Sequence, residues 1–207
     1  MVAEKYDCSI TGIDLSEILV AKARERANER GIVNAQFRVG DARELSFDDD
    51  TFDSLFAVAV TALIPDKLQV SREYIRVVKP GGTIGKLDLF MKESAPREVR
   101  DQFTAIFRDI LGSDNEIITI DEWRDLFEQV DCYDMQVDEN YTNVFEMPRN
   151  RTSAAGASFR LLYHMIITGY VRRNVSKLLE MSKTVNLKSE GEYENVGNLT
   201  FTAKKLM

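Results

Sequence analysis

Strand-like and helix-like segments alternate along the first 90 residues, and this alternation constrains the fold more than any other feature of the sequence. Short apolar runs are separated by stretches in which apolar residues recur three or four positions apart. Such alternation is typical of a parallel sheet whose strands are joined by helices. It predicts strands over residues 8–14, 35–39, 54–60 and 83–90, with helices over 16–31 and 66–78.

Local signals define the ends of these elements. Ser16 is a suitable N-cap, with Glu17 favourably placed at the helix N-terminus, and Gly31 is a natural stop. The segment Lys79-Pro-Gly-Gly82 predicts a turn that leads into the strand 83–90. These signals support a parallel α/β arrangement.

The second half contains fewer strand signals. The sequence Thr119-Ile-Asp-Glu122 is a capping-box signature, which predicts a helix from there to Val130. There is no internal repeat and no low-complexity linker, so we expect one domain over residues 1–207. The other predicted elements are a helix over 93–111, a strand over 132–137, a helical stretch over 152–183 and a closing strand over 195–204.

Composition excludes several classes of function. Net charge is −7, and residues 1–150 hold 18 basic and 30 acidic residues, which argues against nucleic-acid binding. The apolar run 161–171 is too short to span a bilayer, so stable membrane insertion is not expected. No basic, apolar leader opens the chain, and Cys8 and Cys132 form no C-x-x-C pair. We therefore expect a cytoplasmic protein without a metal site.

Four segments occur in a fixed order: T-G-I-D-L-S at 11–16, F-R-V-G-D-A-R-E-L-S-F at 37–47, D-D-T-F-D at 49–53 and R-V-V-K-P-G-G at 76–82. In this order they resemble the class I S-adenosylmethionine-dependent methyltransferases, nearest to the small-molecule enzymes related to ubiquinone and menaquinone pathways. The resemblance covers residues 8–90 well and 119–137 loosely. It implies a Rossmann-like, doubly wound α/β sheet with a core over 8–90, a helical segment over 91–130 and a lid or insertion over 152–183.

The resemblance also implies S-adenosylmethionine as cofactor and two carboxylates that hold it. Asp14 ends the first predicted strand, where ligands bind in such sheets, and would accept hydrogen bonds from the ribose hydroxyls. Asp41 would accept from the adenine amine, while the backbone N–H of Ala42 would reach a ring nitrogen. The alternatives are an N-cap or turn aspartate at Asp14 and an ordinary turn at Gly40-Asp41.

Ala57 and Val58, near the end of a later strand, would line the cofactor pocket by backbone and apolar contacts. The implied reaction is methyl transfer to a small-molecule acceptor, which requires alignment and exclusion of water rather than a catalytic triad. No catalytic residue is assigned. His164, Tyr141 and Tyr163 are weaker candidates, and structural roles are more common for such residues.

The family's glycine-rich loop, G-x-G-x-G, occurs nowhere among the eleven glycines, and only thirteen residues precede Asp14. We therefore expect the first strand, this loop and the first helix to be missing. Three interpretations stay open: a fragment of a normal methyltransferase, one half of a split enzyme, or a non-catalytic interaction protein. Removal of a central strand would expose strand edges and favour self-association or an N-terminal partner chain. A nicotinamide dehydrogenase is disfavoured because that class requires neither the G-D-A segment nor K-P-G-G.

Overall fold

The computed structural model describes residue 3 and residues 6–58, 60–111, 115–140 and 196–207. The chain divides into two compact units, the first unit over residues 1–48 and the second unit over residues 49–207. Each unit has its own sheet. The expectation of a single domain stays a prediction.

The first unit is a strand–helix–strand motif. It consists of β1 (Ile10–Asp14), α1 (Glu17–Glu29) and β2 (Ala35–Val39). The two strands pair in parallel, with Ile10 opposite Ala35 and Asp14 opposite Val39, as the alternating pattern predicted. Its small core is apolar and is formed by Ala3, Ala27 and Ile32, with Ile10, Ala35 and Phe37 packed against it.

Capping residues explain where α1 begins and ends. The Ser16 side chain accepts a hydrogen bond from the Leu19 N–H, which confirms Ser16 as the N-cap. Gly31 follows the helix with a φ of +65°, a left-handed conformation that glycine adopts without steric strain. The chain then returns to β2, and Asn34 anchors this return because its side-chain amide donates to the Cys8 carbonyl.

The second unit contains a four-stranded mixed sheet in the order β3–β4–β6–β5. β3 and β4 are parallel, whereas β6 lies antiparallel to both β4 and β5. Its elements are β3 (Phe52–Val58), a 3₁₀ turn (Thr61–Leu63), α2 (Lys67–Val77), β4 (Val78–Met91), α3 (Arg97–Leu111), α4 (Ile120–Glu128), β5 (Cys132–Asn140) and β6 (Val196–Lys205).

The core of the second unit lies between this sheet and α4. The predicted capping box at the start of α4 is present, with the Thr119 and Glu122 side chains each bonded to the other's backbone N–H. α4 buries Trp123 and Phe127, and the Phe127 ring stacks on Phe201 of β6 at 4.1 Å between centroids. Aromatic burial of this kind contributes more than area alone.

The segment Lys79–Gly82 differs from the prediction. The expected turn is wrong, because these residues lie within the continuous strand β4. Phe52 and Ser54 of β3 pair with Val78 and Thr83 of β4. Between these two pairs β4 has more residues than β3, and the extra residues of β4 form an irregularity in the ladder. Gly81 has a φ of +75°, and a Cβ at Gly82 would lie 2.8 Å from the Asp53 carbonyl oxygen. The glycines therefore permit a bulge rather than a chain reversal.

The other predicted elements agree within a few residues, except the helical stretch 152–183, which lies outside the described residues. The sheet with helical connections confirms the expected Rossmann-like α/β class. The expected missing first strand stays a prediction. Among the helices of the described residues, none has the length and apolarity needed to cross a membrane.

Candidate cofactor site

The carboxyl ends of β1 and β2 lie side by side in the first unit. Asp14 pairs with Val39 in the last register of the ladder, and the Gly40 N–H continues the pairing by donating to the Asp14 carbonyl at 3.1 Å. Gly40 permits this close approach, since a Cβ there would lie 3.0 Å from the Ile13 side chain. The predicted site residues Asp14 and Asp41 therefore follow two adjacent, parallel strand ends.

The Asp14 carboxylate has one oxygen engaged and one available. Its Oδ1 accepts a hydrogen bond from the Ser16 N–H at 2.8 Å, so the turn role considered as an alternative is real. Within the described part of the chain no donor bonds to Oδ2, and the side chain is only partly buried. A carboxylate carries roughly four acceptor positions, so Asp14 can keep its turn and still accept from a ligand hydroxyl.

The Asp41 carboxylate accepts more hydrogen bonds than that of Asp14. The Arg43 guanidinium bonds both carboxylate oxygens, through Nε at 3.1 and 3.0 Å and through Nη2, and the Arg43 N–H adds a bond to Oδ1 at 2.9 Å. These hydrogen bonds from Arg43 hold the pKa of Asp41 below its ordinary value. The arrangement is that of an ion-paired turn, so Asp41 can accept from an adenine amine only if the Arg43 side chain moves.

Ala42 can contribute its backbone N–H as a hydrogen-bond donor. It lies in the turn that the Glu44 N–H closes on the Asp41 carbonyl at 3.1 Å. Among the residues that the structure describes, no acceptor takes the Ala42 N–H. The donor predicted to reach a purine ring nitrogen is thus free for that purpose.

Ala57 and Val58 lie at the carboxyl end of β3, in the second unit. Ala57 is buried opposite Lys86 and Val58 is partly buried opposite Leu87 in the parallel ladder with β4. Both positions are apolar strand ends, which suits contact with an uncharged ring or methylene group. Their assignment to the cofactor stays a prediction.

The remaining candidates of the sequence analysis are only partly covered by the structure. His164, Tyr141 and Tyr163 lie outside the described residues. In the described ranges no three His, Cys, Asp or Glu side chains converge as metal ligands would. Cys8 and Cys132 are both free thiols.

The sequence reasoning missed a buried polar cluster in the second unit. Lys86 and Asp88 are almost fully buried on one face of β4, where a strand had been predicted without a role for these two residues. The available signal was two charged residues at i and i+2 within an otherwise apolar strand. It was not decisive, because their partners, Ala62 and Trp123, lie more than twenty residues away in sequence.

Comparison with known proteins decides the family. The profile of a family described as "Methyltransferase domain" matches residues 2–141. The chain belongs to this methyltransferase family. The resemblance inferred from the four motifs is therefore confirmed.

Two curated relatives of this methyltransferase chain each match half of it or less. It is 34% identical over 105 residues to a phosphatidylethanolamine N-methyltransferase of Cereibacter sphaeroides, covering 50% of this chain and 52% of the relative. It is 38% identical over 90 residues to a demethylmenaquinone methyltransferase of Listeria welshimeri, covering 42% and 38% respectively. The matches therefore span about half or less of each relative's length.

Solved structures confirm the fold. A [4+2]-cyclase, SpnF, superposes with a TM-score of 0.70 at 21% identity, covering all of this chain and 69% of the cyclase. Phosphoethanolamine N-methyltransferase 2 of Haemonchus contortus, solved with S-adenosyl-L-methionine, gives 0.68 at 18% identity, covering all of this chain and 45% of that enzyme. At these identities the likeness concerns architecture, and one of the two neighbours is titled a cyclase.

Proposed function

We propose that this chain binds S-adenosylmethionine and takes part in methyl transfer to a small-molecule acceptor. The observation that carries the proposal is Asp14 at the end of β1, whose carboxylate Oδ2 has no donor among the described residues, together with the Ala42 N–H after the adjacent strand β2, which has no acceptor among them. Open α/β sheets bind their ligands at this end of the strands. Membership of the methyltransferase family supplies the cofactor class.

Each residue has a distinct part in this proposal. Asp14 accepts from the ribose hydroxyls, and the Ala42 N–H donates to a purine ring nitrogen. Asp41 accepts from the exocyclic amine once Arg43 has released it. Ala57 and Val58 contribute an apolar strand end. The adenosine part of the cofactor fits this set, because it is uncharged and offers hydroxyl and amine donors to the carboxylates and a ring nitrogen to the Ala42 N–H.

The cofactor, when bound, supplies a methyl group already activated by its sulfonium centre. The chain then has to orient the acceptor and exclude water, for which a general base is not essential. The acceptor is a small molecule by family. The segments expected to shape its pocket, 91–118 and 138–190, extend beyond the described residues.

We expect weak binding by this chain alone. The sequence contains no G-x-G, so it lacks the loop whose backbone N–H groups hold the cofactor in this family. The dissociation constant should therefore be weaker than low micromolar. Low-micromolar binding in calorimetry would show that the two strand ends are sufficient without the loop.

The substitution Asp14→Asn separates the two roles of this side chain. Asn keeps an oxygen for the Ser16 N–H but replaces the free acceptor with a donor, so it should weaken cofactor binding by about 1–3 kcal/mol, roughly 5- to 150-fold. Ser16→Ala is the matched control, because it removes the helix cap and leaves the Asp14 carboxylate intact. Equal affinities in wild type, Asp14→Asn and Ser16→Ala would remove Asp14 from the site.

We also propose that the chain associates through an edge strand, with a second copy or with a partner chain that supplies a strand. Among the described residues β1 pairs only with β2 and β3 only with β4, and the Phe56 side chain on β3 is 68% exposed. Unpaired edges with apolar side chains favour strand addition.

Location in the cytoplasm is proposed from the two free cysteines, which suit a reducing compartment.

Sedimentation velocity tests the association. We expect concentration-dependent oligomers, which Phe56→Lys should reduce because it places a charge on the edge strand. Tyr133→Lys places a charge on β5, the strand at the opposite end of the same sheet, and separates association through β3 from association through β5. A compact monomer at all concentrations, unchanged by Phe56→Lys, would refute association through β3.

A further inference from the structure

The face of β4 that packs against α4 carries a buried ion pair. Lys86 Nζ lies 3.4 Å from Asp88 Oδ2, and both side chains have no exposed area. The ammonium lies 2.8 Å from the centroid of the Trp123 ring and forms no hydrogen bond within the described residues. Burial of such a pair is costly, and its attraction alone often fails to offset the desolvation. The pair therefore needs an explanation beyond packing.

The hydrogen bonds around this pair converge on one residue. Asp88 Oδ2 accepts from the Ala62 N–H at 3.0 Å, and the Asn115 side-chain amide donates to the Ala62 carbonyl. Lys67 Nζ then donates to Asn115 Oδ1 at 2.7 Å and to the Ile64 carbonyl at 3.1 Å. Both backbone polar groups of Ala62 are thus held by buried side chains from other parts of the second unit.

Ala62 lies in the 3₁₀ turn, which begins three residues after β3 ends at Val58. Among the described residues, the backbone hydrogen bonds within the turn are short-range: the Leu63 N–H donates to the Val60 carbonyl and the Ile64 N–H to the Thr61 carbonyl. Three residues of 3₁₀ helix are weakly stable without outside support. The buried side chains supply that support.

We propose that Asp88 and Asn115 are positioning residues that fix the 3₁₀ turn, and with it the backbone that follows the cofactor-facing end of β3. Lys86 lies 3.4 Å from Asp88 and helps to orient its carboxylate, and Lys67 orients Asn115. The inference rests on the proposed function for what the end of β3 contacts. The fixing of the turn stands on the hydrogen bonds alone.

Amide hydrogen exchange of the full chain, followed residue by residue by NMR, tests the proposal. In Asp88→Leu, exchange of the Ala62 amide should become faster by a factor at least ten times larger (about 1.4 kcal/mol) than that of sheet amides such as Thr202. Asp88→Asn should stay within a few-fold of wild type, because its oxygen still accepts from Ala62. Val78→Ala is the control, since it removes buried volume at the other end of β4 and should affect the sheet and the turn equally.

Two results would overturn the proposal. One is an unchanged Ala62 rate in Asp88→Leu, and the other is a uniform rise across the second unit that matches Val78→Ala. If Asp88→Leu does not fold, Asn115→Ala serves instead and should speed exchange of Leu63 and Ile64 selectively. Titration of wild type with S-adenosylmethionine is run in parallel. Absence of binding there refutes the proposed function and leaves the exchange result to decide the positioning.

Discussion

The two units place their ion pairs in opposite environments. In the first unit the Asp41–Arg43 pair lies at the surface, the Arg43 side chain is about half exposed, and the core is purely apolar. In the second unit Lys86 and Asp88 lie inside the core, under Trp123. Exposed pairs contribute little to stability, so the first unit can exchange Arg43 for a ligand at small cost. Buried pairs are rigid because breaking them is expensive, which suits a part that holds a backbone in place.

The largest expected effect is a loss of stability that is confined to the second unit. Phe127→Ala removes a buried ring stacked on Phe201 and should lower the free energy of unfolding of the second unit by about 3–5 kcal/mol. Ile32→Ala in the first unit should leave that transition almost unchanged. Trp123 is the only tryptophan and lies in the second unit, so its fluorescence in urea reports that unit alone. If Ile32→Ala shifts the urea midpoint of the Trp123 fluorescence transition as much as Phe127→Ala does, the two units unfold together.

The next effect concerns pH and the buried lysines. Burial lowers the pKa of Lys86 from 10.5 to about 7, against the attraction of Asp88 and with a further decrease from Lys67. Burial likewise lowers the pKa of Lys67 to about 8. The folded state therefore binds fewer protons than the unfolded state above pH 7, and the free energy of unfolding should rise with pH.

Relative to Lys86→Met, the wild-type rise between pH 7 and 9 should be on the order of 2 kcal/mol. Measurements stop at pH 9 because burial also raises the pKa of Tyr74 to about 12, which reverses the trend once unfolded tyrosine ionises. Urea unfolding at each pH provides the comparison. Parallel pH profiles for wild type and Lys86→Met would mean that Lys86 does not titrate in this range.

The smallest effect is expected at the exposed pair. Arg43→Gln removes the group that occupies the Asp41 carboxylate and should change stability by about 0.5 kcal/mol or less. It should tighten S-adenosylmethionine binding by roughly two- to threefold, since Asp41 no longer has to exchange one partner for another. Arg24→Gln, whose guanidinium bonds the Phe37 carbonyl instead, is the control. Weaker binding in Arg43→Gln alone would assign Arg43 itself to the ligand.

The sequence predicted what depends on local rules. Ser16, Gly31 and the Thr119–Glu122 capping box act within a few residues, and each has the predicted role. Asp14 was also predictable as a strand-end carboxylate. Its available Oδ2 required the structure, because only geometry shows which oxygen the turn uses.

Long-range contacts account for what was missed. The bulge at Lys79–Gly82 depends on how β3 aligns with β4, and a local turn signal does not encode that register. The support of Ala62 joins residues from β4 and from the segment before α4, separated from it by 26 and 53 positions. Neither contact has a periodic signature in the sequence.

The central claim is that the strand ends of the first unit, which carry Asp14 and Ala42, contact S-adenosylmethionine. An NMR titration of the full chain with S-adenosylmethionine, monitored at every backbone amide, tests it most directly. The account predicts saturable shifts at the amides of Asp14 and Ala42. Shifts confined to other residues, or none up to the solubility limit of the ligand, would contradict it.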